Sequence, residues 1–214
     1  MMETFIFDLD GTLLDSMHVW DDVPQRYCER TTIPYDPHML ETFSTMSLTQ
    51  TAHCLQQVYG VTASTATIID DINACVEEKY RKEVQLKPGA KEFLAYLHSL
   101  GKNITLLTAC NIDLAKAALQ RNGVLSYFDT ILTCELLGYS KTETALFHKA
   151  VQYIHTNTSS CVFIEDSLHA IEHIREAGYT VWGIYDSYNK QDWESIKNTS
   201  DAAFTTYKEM ERYI

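Results

Sequence analysis

Thr4-Phe5-Ile6-Phe7-Asp8-Leu9-Asp10-Gly11-Thr12 is the stretch on which the fold turns. A short, unbroken apolar run ends abruptly in two acids and a glycine. Parallel strands buried on both faces read as continuous apolar runs of this kind rather than as alternating ones. Residues 104–107, 161–164 and 180–184 repeat the pattern, and residues 130–133 fit a fifth strand. Helical patterns lie between them. Pro88 is placed to open one, with Phe93, Leu94, Leu97 and Leu100 on its apolar face and Gly101 as its stop. Asn111 is a cap for the next, which ends near Gly123, and Ser167 for another ending near Gly178. Strands alternating with helices predict an α/β fold, a doubly wound parallel sheet.

One long segment breaks the rhythm. Beyond residue 15 only helical periodicity is seen, at 17–30, 39–45, 48–59 and 66–82. This predicts a helical subdomain, residues 16–85, inserted into a sheet domain made of residues 1–15 and 86–214. Asp15 reads as a structural residue at the junction.

The 214 residues are 45% apolar and 21% charged, with 13 Tyr, 8 Phe and 3 Trp to fill a core, which excludes a disordered, collagen-like or coiled-coil chain. No run approaches the roughly 18 apolar residues a membrane span needs. Met1-Met2-Glu3-Thr4 lacks the basic and apolar regions of a signal peptide, so a soluble, cytoplasmic protein is expected. Seventeen Lys and Arg against 29 Asp and Glu leave a net charge of −12, which disfavours nucleic acid and anionic membranes as partners. The oligomeric state is left open, and a monomer is compatible with the sequence. Six scattered cysteines show neither zinc-finger spacing nor a disulfide framework and read as reduced core residues.

The residues just past each apolar run carry the chemistry. Asp8 and Asp10 come after the first, Thr108 after the second, and Glu165 and Asp166 after the third, while Lys141 sits in the loop-like Gly138-Tyr139-Ser140-Lys141. Ligands of open parallel sheets bind outside the carboxyl ends of the strands, so these groups are expected to converge. Clustered carboxylates do not stay ionised together without a cation, and an all-oxygen set suits Mg²⁺.

The run Asp8-Leu9-Asp10-Gly11-Thr12-Leu13-Leu14-Asp15-Ser16 resembles the first motif of the haloacid dehalogenase-like phosphohydrolases. Thr108, Lys141 and Glu165-Asp166-Ser167 fall in the order of that superfamily's remaining motifs, and the helical insert resembles the C1-type cap of its phosphoglucomutase-like subgroup. The resemblance spans essentially the whole chain. It implies a Mg²⁺-dependent phosphatase of a small-molecule phosphate ester, with Asp8 as nucleophile and Asp10 as general acid and base. Gly11, Thr12, Thr108 and the N–H of Ala109 would bind the phosphoryl oxygens, and Lys141 would supply fixed positive charge. Asp8, the Asp10 carbonyl, Asp166 and Glu165 would hold the metal, and the sequence leaves open which of the last two touches it directly. The family usually has Pro after this lysine, where Thr142 stands here.

Each residue has a plainer reading: a solvated turn for Asp-x-Asp, a surface lysine for Lys141, ordinary helix caps for Glu165 and Asp166. Their joint order outweighs it. His18 and Trp20, with Met17, open the helical insert and are candidates for substrate contact, against packing within the insert. His169 and His173 mimic a metal pair, and Cys110 a reactive thiol, but helix-surface and pocket-lining roles fit them better. The mutase alternative, of the β-phosphoglucomutase type, implies a cap arginine and a cap histidine. At Ser44-Thr45-Met46-Ser47-Leu48 the arginine position holds Leu48, and the histidine position holds Trp20, so hydrolysis is favoured. Arg26 and Arg30 are the only basic residues between 16 and 48, which points to a small monophosphate. A response-regulator receiver would carry its acceptor Asp after a later strand, and a non-catalytic module would have lost part of the set.

Overall fold

The apolar runs become strands, each flanked by the helices that cover it. The computed structural model describes residues 2–43 and 46–214. In chain order the sheet elements and their helices are β1 (Thr4–Phe7), β2 (Leu14–Asp15), α1 (Val23–Thr31), α2 (Met39–Phe43), α3 (Leu48–Gln57), α4 (Thr65–Lys82), β3 (Gln85–Leu86) and α5 (Ala90–Ser99). They continue as β4 (Asn103–Thr108), α6 (Ile112–Arg121), β5 (Thr130–Thr133), α7 (Cys134–Leu137), α8 (Thr144–Tyr153), β6 (Cys161–Glu165) and α9 (Leu168–Glu176). The last elements are β7 (Thr180–Ile184), α10 (Trp193–Thr199), β8 (Ala202–Phe204) and α11 (Tyr207–Tyr213).

Six strands form one parallel sheet in the order β5-β4-β1-β6-β7-β8, the doubly wound α/β arrangement the apolar runs predict. The chain moves outward from β1 to β4 and β5, then returns to β6 on the other side. The switch point therefore lies between β1 and β6, where such sheets open a crevice. β1 is buried along its length and its side chains alternate between two helical layers. Phe5 and Phe7 meet Phe93 of α5 edge-on, at 6.4 and 6.1 Å between ring centroids, and Phe93 meets Tyr207 of α11 at 5.4 Å. Ile6 faces the opposite core, with Leu107, Leu132, Phe147, Phe163 and Ile171.

The chain forms two compact units, Met1–Asp15 with Val84–Ile214, and Ser16–Glu83. β2 and β3 pair antiparallel, Leu14 with Leu86 and Asp15 with Gln85, where the sheet unit's two stretches meet. The second unit is helical, with Tyr27, Met39, Leu55, Ile68, Ile72, Val76 and Tyr80 in its core. Its first helix does not run unbroken from residue 17. A 3₁₀ turn at Met17–Val19 precedes α1, because Pro24 lacks an N–H and is tolerated only in a first turn, which sets the start at Val23.

Three other local expectations are corrected. Pro88 lies outside α5, whose N-cap is Gly89 at φ +85°. Leu100 is the C-cap of that helix and is 45% exposed, because past the last helical residue it no longer follows the 3.6-residue period. Ser167 occupies the N-cap of α9 without a side-chain capping bond, and the Glu165 carboxylate accepts its N–H instead. Ser44 and Thr45, part of the stretch set against the mutase turn and of the helix expected at 39–45, lie outside the described residues. No described helix is long and apolar enough to cross a membrane.

Candidate active site

Register brings the acids together. Phe7 pairs with Leu106 on one side and Ile164 on the other, so Asp8 emerges one residue later beside Glu165. The Asp8 N–H donates to Ile164 O at 3.0 Å and keeps the chain in line with β6 just past the end of β1. Asp8, Glu165 and Asp166 are all buried, and each brings a carboxylate oxygen within 4.8 Å of the others. Asp10 is not one of this trio.

Lys141 enters from the loop after α7. Its ammonium contacts Asp8 Oδ1 and donates to Glu165 Oε2 at 2.6 Å. Lys141 is thus no surface lysine: its side chain is only 16% exposed. The turn holds without the family's proline, since Ser140 Oγ and Thr142 Oγ1 share a 2.6 Å hydrogen bond and the Ser140 N–H donates to Glu143 Oε2 at 2.8 Å. Burial alone would lower the Lys141 pKa, but Asp8 and Glu165 outweigh it and raise it, so the ammonium stays charged. Burial, with Asp8 beside it, pushes Glu165 up to about 7 against the pull of Lys141. Burial, with Glu165 and Asp8 nearby, also raises Asp166 well above the usual carboxylate range.

The turn after β1 is built around Asp166. Gly11 sits at φ +79°, and a Cβ there would lie 2.3 Å from Asp166 Oδ2. Thr12 is fully buried and its hydroxyl donates to Asp166 Oδ1 at 2.8 Å. The Gly11 N–H, expected to face phosphate, donates to Leu14 O at 3.0 Å because the turn closes on itself. Thr108, the last residue of β4, is buried and accepts the Cys110 N–H at 2.9 Å. Ala109 follows it, exposed, two residues ahead of Asn111, whose side chain caps α6 by accepting from Asp113 and Leu114.

Other candidates fall elsewhere. Trp20 Nε1 donates to the Tyr80 hydroxyl at 3.0 Å and the two rings meet edge-on, so Trp20 packs within the helical unit. His18 is exposed in the 3₁₀ turn of that unit. His173 Nδ1 bonds His169 O along α9, and neither histidine belongs to the acid trio. Cys110 is buried. Three groups escaped the sequence reading. Asn189 Nδ2 donates to Asp166 Oδ2 at 2.6 Å, Lys87 Nζ donates to Gly11 O at 2.6 Å, and the Tyr207 hydroxyl donates to Thr12 O at 2.8 Å. For Asn189 a signal existed, since it comes after the β7 run as the acids come after β1 and β6.

Three buried carboxylates share one ammonium, which pairs with Asp8 and Glu165; fully ionised they would exceed it by two negative charges, and that all-oxygen set fits a divalent hard cation such as Mg²⁺.

The acids and Lys141 thus gather at the carboxyl edge of a parallel sheet, where open α/β folds bind their ligands. The family model described as haloacid dehalogenase-like hydrolase matches residues 5–184, and the chain belongs to that family. Among similar curated proteins is a validoxylamine A 7'-phosphate phosphatase of Streptomyces hygroscopicus subsp. limoneus, 22% identical over 89% of each chain. A phosphorylated carbohydrates phosphatase of Thermotoga maritima is 21% identical over 88% of each. Among solved structures, CbbY of Rhodobacter sphaeroides, in complex with phosphate, shares the fold at TM-score 0.84 and 18% identity, over 98% of this chain and 96% of that one.

Proposed function

We propose that the chain is a Mg²⁺-dependent phosphatase that hydrolyses a small phosphate monoester through an aspartyl-phosphate on Asp8. The buried cluster of Asp8, Glu165 and Asp166, with Lys141 paired to the first two, carries this reading, because three carboxylates ionise together there only with a cation beside them. Lys141 holds Asp8 Oδ1, which leaves Oδ2 as the attacking oxygen. That oxygen forms a bond to phosphorus as the bond to the ester oxygen breaks. Asp10, in its acid form, gives its proton to the departing alkoxide. The resulting carboxylate takes a proton from a water that attacks the same phosphorus, which releases inorganic phosphate and restores Asp8. Thr108 donates its hydroxyl hydrogen, and Ala109 its N–H, to the phosphoryl oxygens, and Lys141 offsets the charge that gathers on them. Asp8, Asp166 and Glu165, with the Asp10 carbonyl, would hold Mg²⁺, which would supply Lewis-acid charge stabilisation.

Between residues 16 and 48 only Arg26 and Arg30 are basic, and position 48 holds leucine where the mutase turn carries arginine; both support hydrolysis of a monophosphate over mutase action on a bisphosphate. p-Nitrophenyl phosphate should be hydrolysed with Mg²⁺ and not with EDTA, and Asp8→Asn should lower kcat by orders of magnitude. Near-normal turnover in that variant would overturn the nucleophile assignment. A screen across metabolite monophosphates, sugar phosphates and phosphoglycolate included, then finds the substrate.

A further inference from the structure

Asp166 is held from both sides by neutral donors. Thr12 Oγ1 donates to Oδ1 at 2.8 Å, and Asn189 Nδ2 donates to Oδ2 at 2.6 Å and to the Asp166 carbonyl at 3.1 Å. Thr12 belongs to the motif after β1, but Asn189 comes from the loop after β7. A carboxylate oxygen accepts more than one bond, so each still presents a lone pair while the pair of donors fixes the side-chain rotamer.

The loop that carries Asn189 is itself anchored. Asp186 is buried, accepts the Tyr188 N–H on Oδ1 at 2.9 Å, and receives the Asn189 N–H on its carbonyl at 3.2 Å. Asp186 Oδ2 takes Lys87 Nζ at 2.9 Å. The same ammonium donates to Tyr185 O and Gly11 O, both at 2.6 Å. An ammonium has three N–H donors, and these three acceptors use them all. Lys87 thereby ties the turn after β1 to the loop after β7, and Asn189 reaches from that loop onto Asp166.

We propose that Asn189, on a loop locked by Lys87 and Asp186, is a positioning residue that orients Asp166 as a ligand for the divalent cation. This rests on the reading of the acid cluster as a cation site. Groups that orient metal ligands set affinity without touching the ion, and their loss costs about tenfold to a hundredfold in binding. Asn189 is suited to the task because an amide steers a carboxylate by hydrogen bonding without cancelling its charge, as a lysine there would.

The test is calorimetric titration of Mg²⁺ into the full chain, stripped with EDTA, as native protein, Asn189→Ala and Asn189→Leu. Leucine keeps the number and branching of asparagine's side-chain heavy atoms and removes the donor. The expected result is at least about tenfold weaker Mg²⁺ binding in both variants. In turnover of p-nitrophenyl phosphate the Mg²⁺ requirement should rise by a similar factor. At saturating Mg²⁺, kcat should recover while KM for the ester stays near native, a split that simple damage to the loop would not produce. Mg²⁺ binding within twofold of native in both variants overturns the role of Asn189. A native chain that takes up no Mg²⁺ overturns the cation reading as well, so the two failures are told apart by the native titration alone.

Discussion

At Gly11 the backbone and the acid cluster impose one requirement. With φ at +79°, any L-residue meets the left-handed penalty of about 1–2 kcal/mol. The 2.3 Å approach to Asp166 Oδ2 adds a displacement of a carboxylate that Thr12 and Asn189 hold in place. Gly11→Ala should therefore lower stability by about 2–4 kcal/mol in urea unfolding and weaken Mg²⁺ binding together, because the same atom is pushed. A loss of stability with native Mg²⁺ affinity would show that Asp166 has room to yield. The carboxylates were legible in the sequence because they stand just past apolar runs, and Lys141 because it falls between them in the order of the family's motifs. Lys87 was not: it stands between short strand β3 and Pro88, where a lysine looks like any solvent-facing junction residue. Only the folded chain shows its ammonium enclosed by Gly11, Tyr185 and Asp186.

Elements were legible in proportion to their length and burial. The five principal strands of the sheet show as apolar runs because both their faces are covered. β8 spans only Ala202–Phe204 at the sheet edge, and β2 and β3 have two residues each, too few for any period to register. α10 and α11 were missed for a related reason, since each has seven residues and a narrow buried stripe. α11 still matters to the site, because Tyr207 packs on Phe93 and its hydroxyl holds the Thr12 carbonyl. This couples the helix layer to the turn after β1. Phe93→Ala would open a cavity beneath Phe5, Phe7 and Tyr207, with an expected loss of about 3–5 kcal/mol. Chemical denaturation checks the magnitude. The same variant should raise the Mg²⁺ requirement for turnover, whereas an equally destabilising change in the opposite core, Phe147→Ala, should raise it less.

For the molecule as a whole, pH acts through buried groups as well as through the net charge of −12. Burial raises the Cys134 and Cys161 thiols to about 11 and lifts the Tyr207 phenol well above its usual range. Each is an acid whose folded pKa exceeds its unfolded one. Below about pH 8.5, the ordinary thiol value, both states keep these protons and the stabilisation is complete. Between about pH 8.5 and the folded value the unfolded chain loses thiol protons that the folded chain retains, so stability falls as pH rises. Lys141, also raised by its carboxylates, acts in the same direction, since its pairing is lost only at still higher pH. The urea midpoint should thus decline steadily from pH 8 to pH 10.5. Growing net negative charge would give a similar trend, but it acts through solvent and is screened by salt, whereas burial of a thiol is not. The decline should survive 0.5 M NaCl and become shallower in Cys161→Ala. A slope that disappears in salt and ignores Cys161 would assign the alkaline loss to surface repulsion alone.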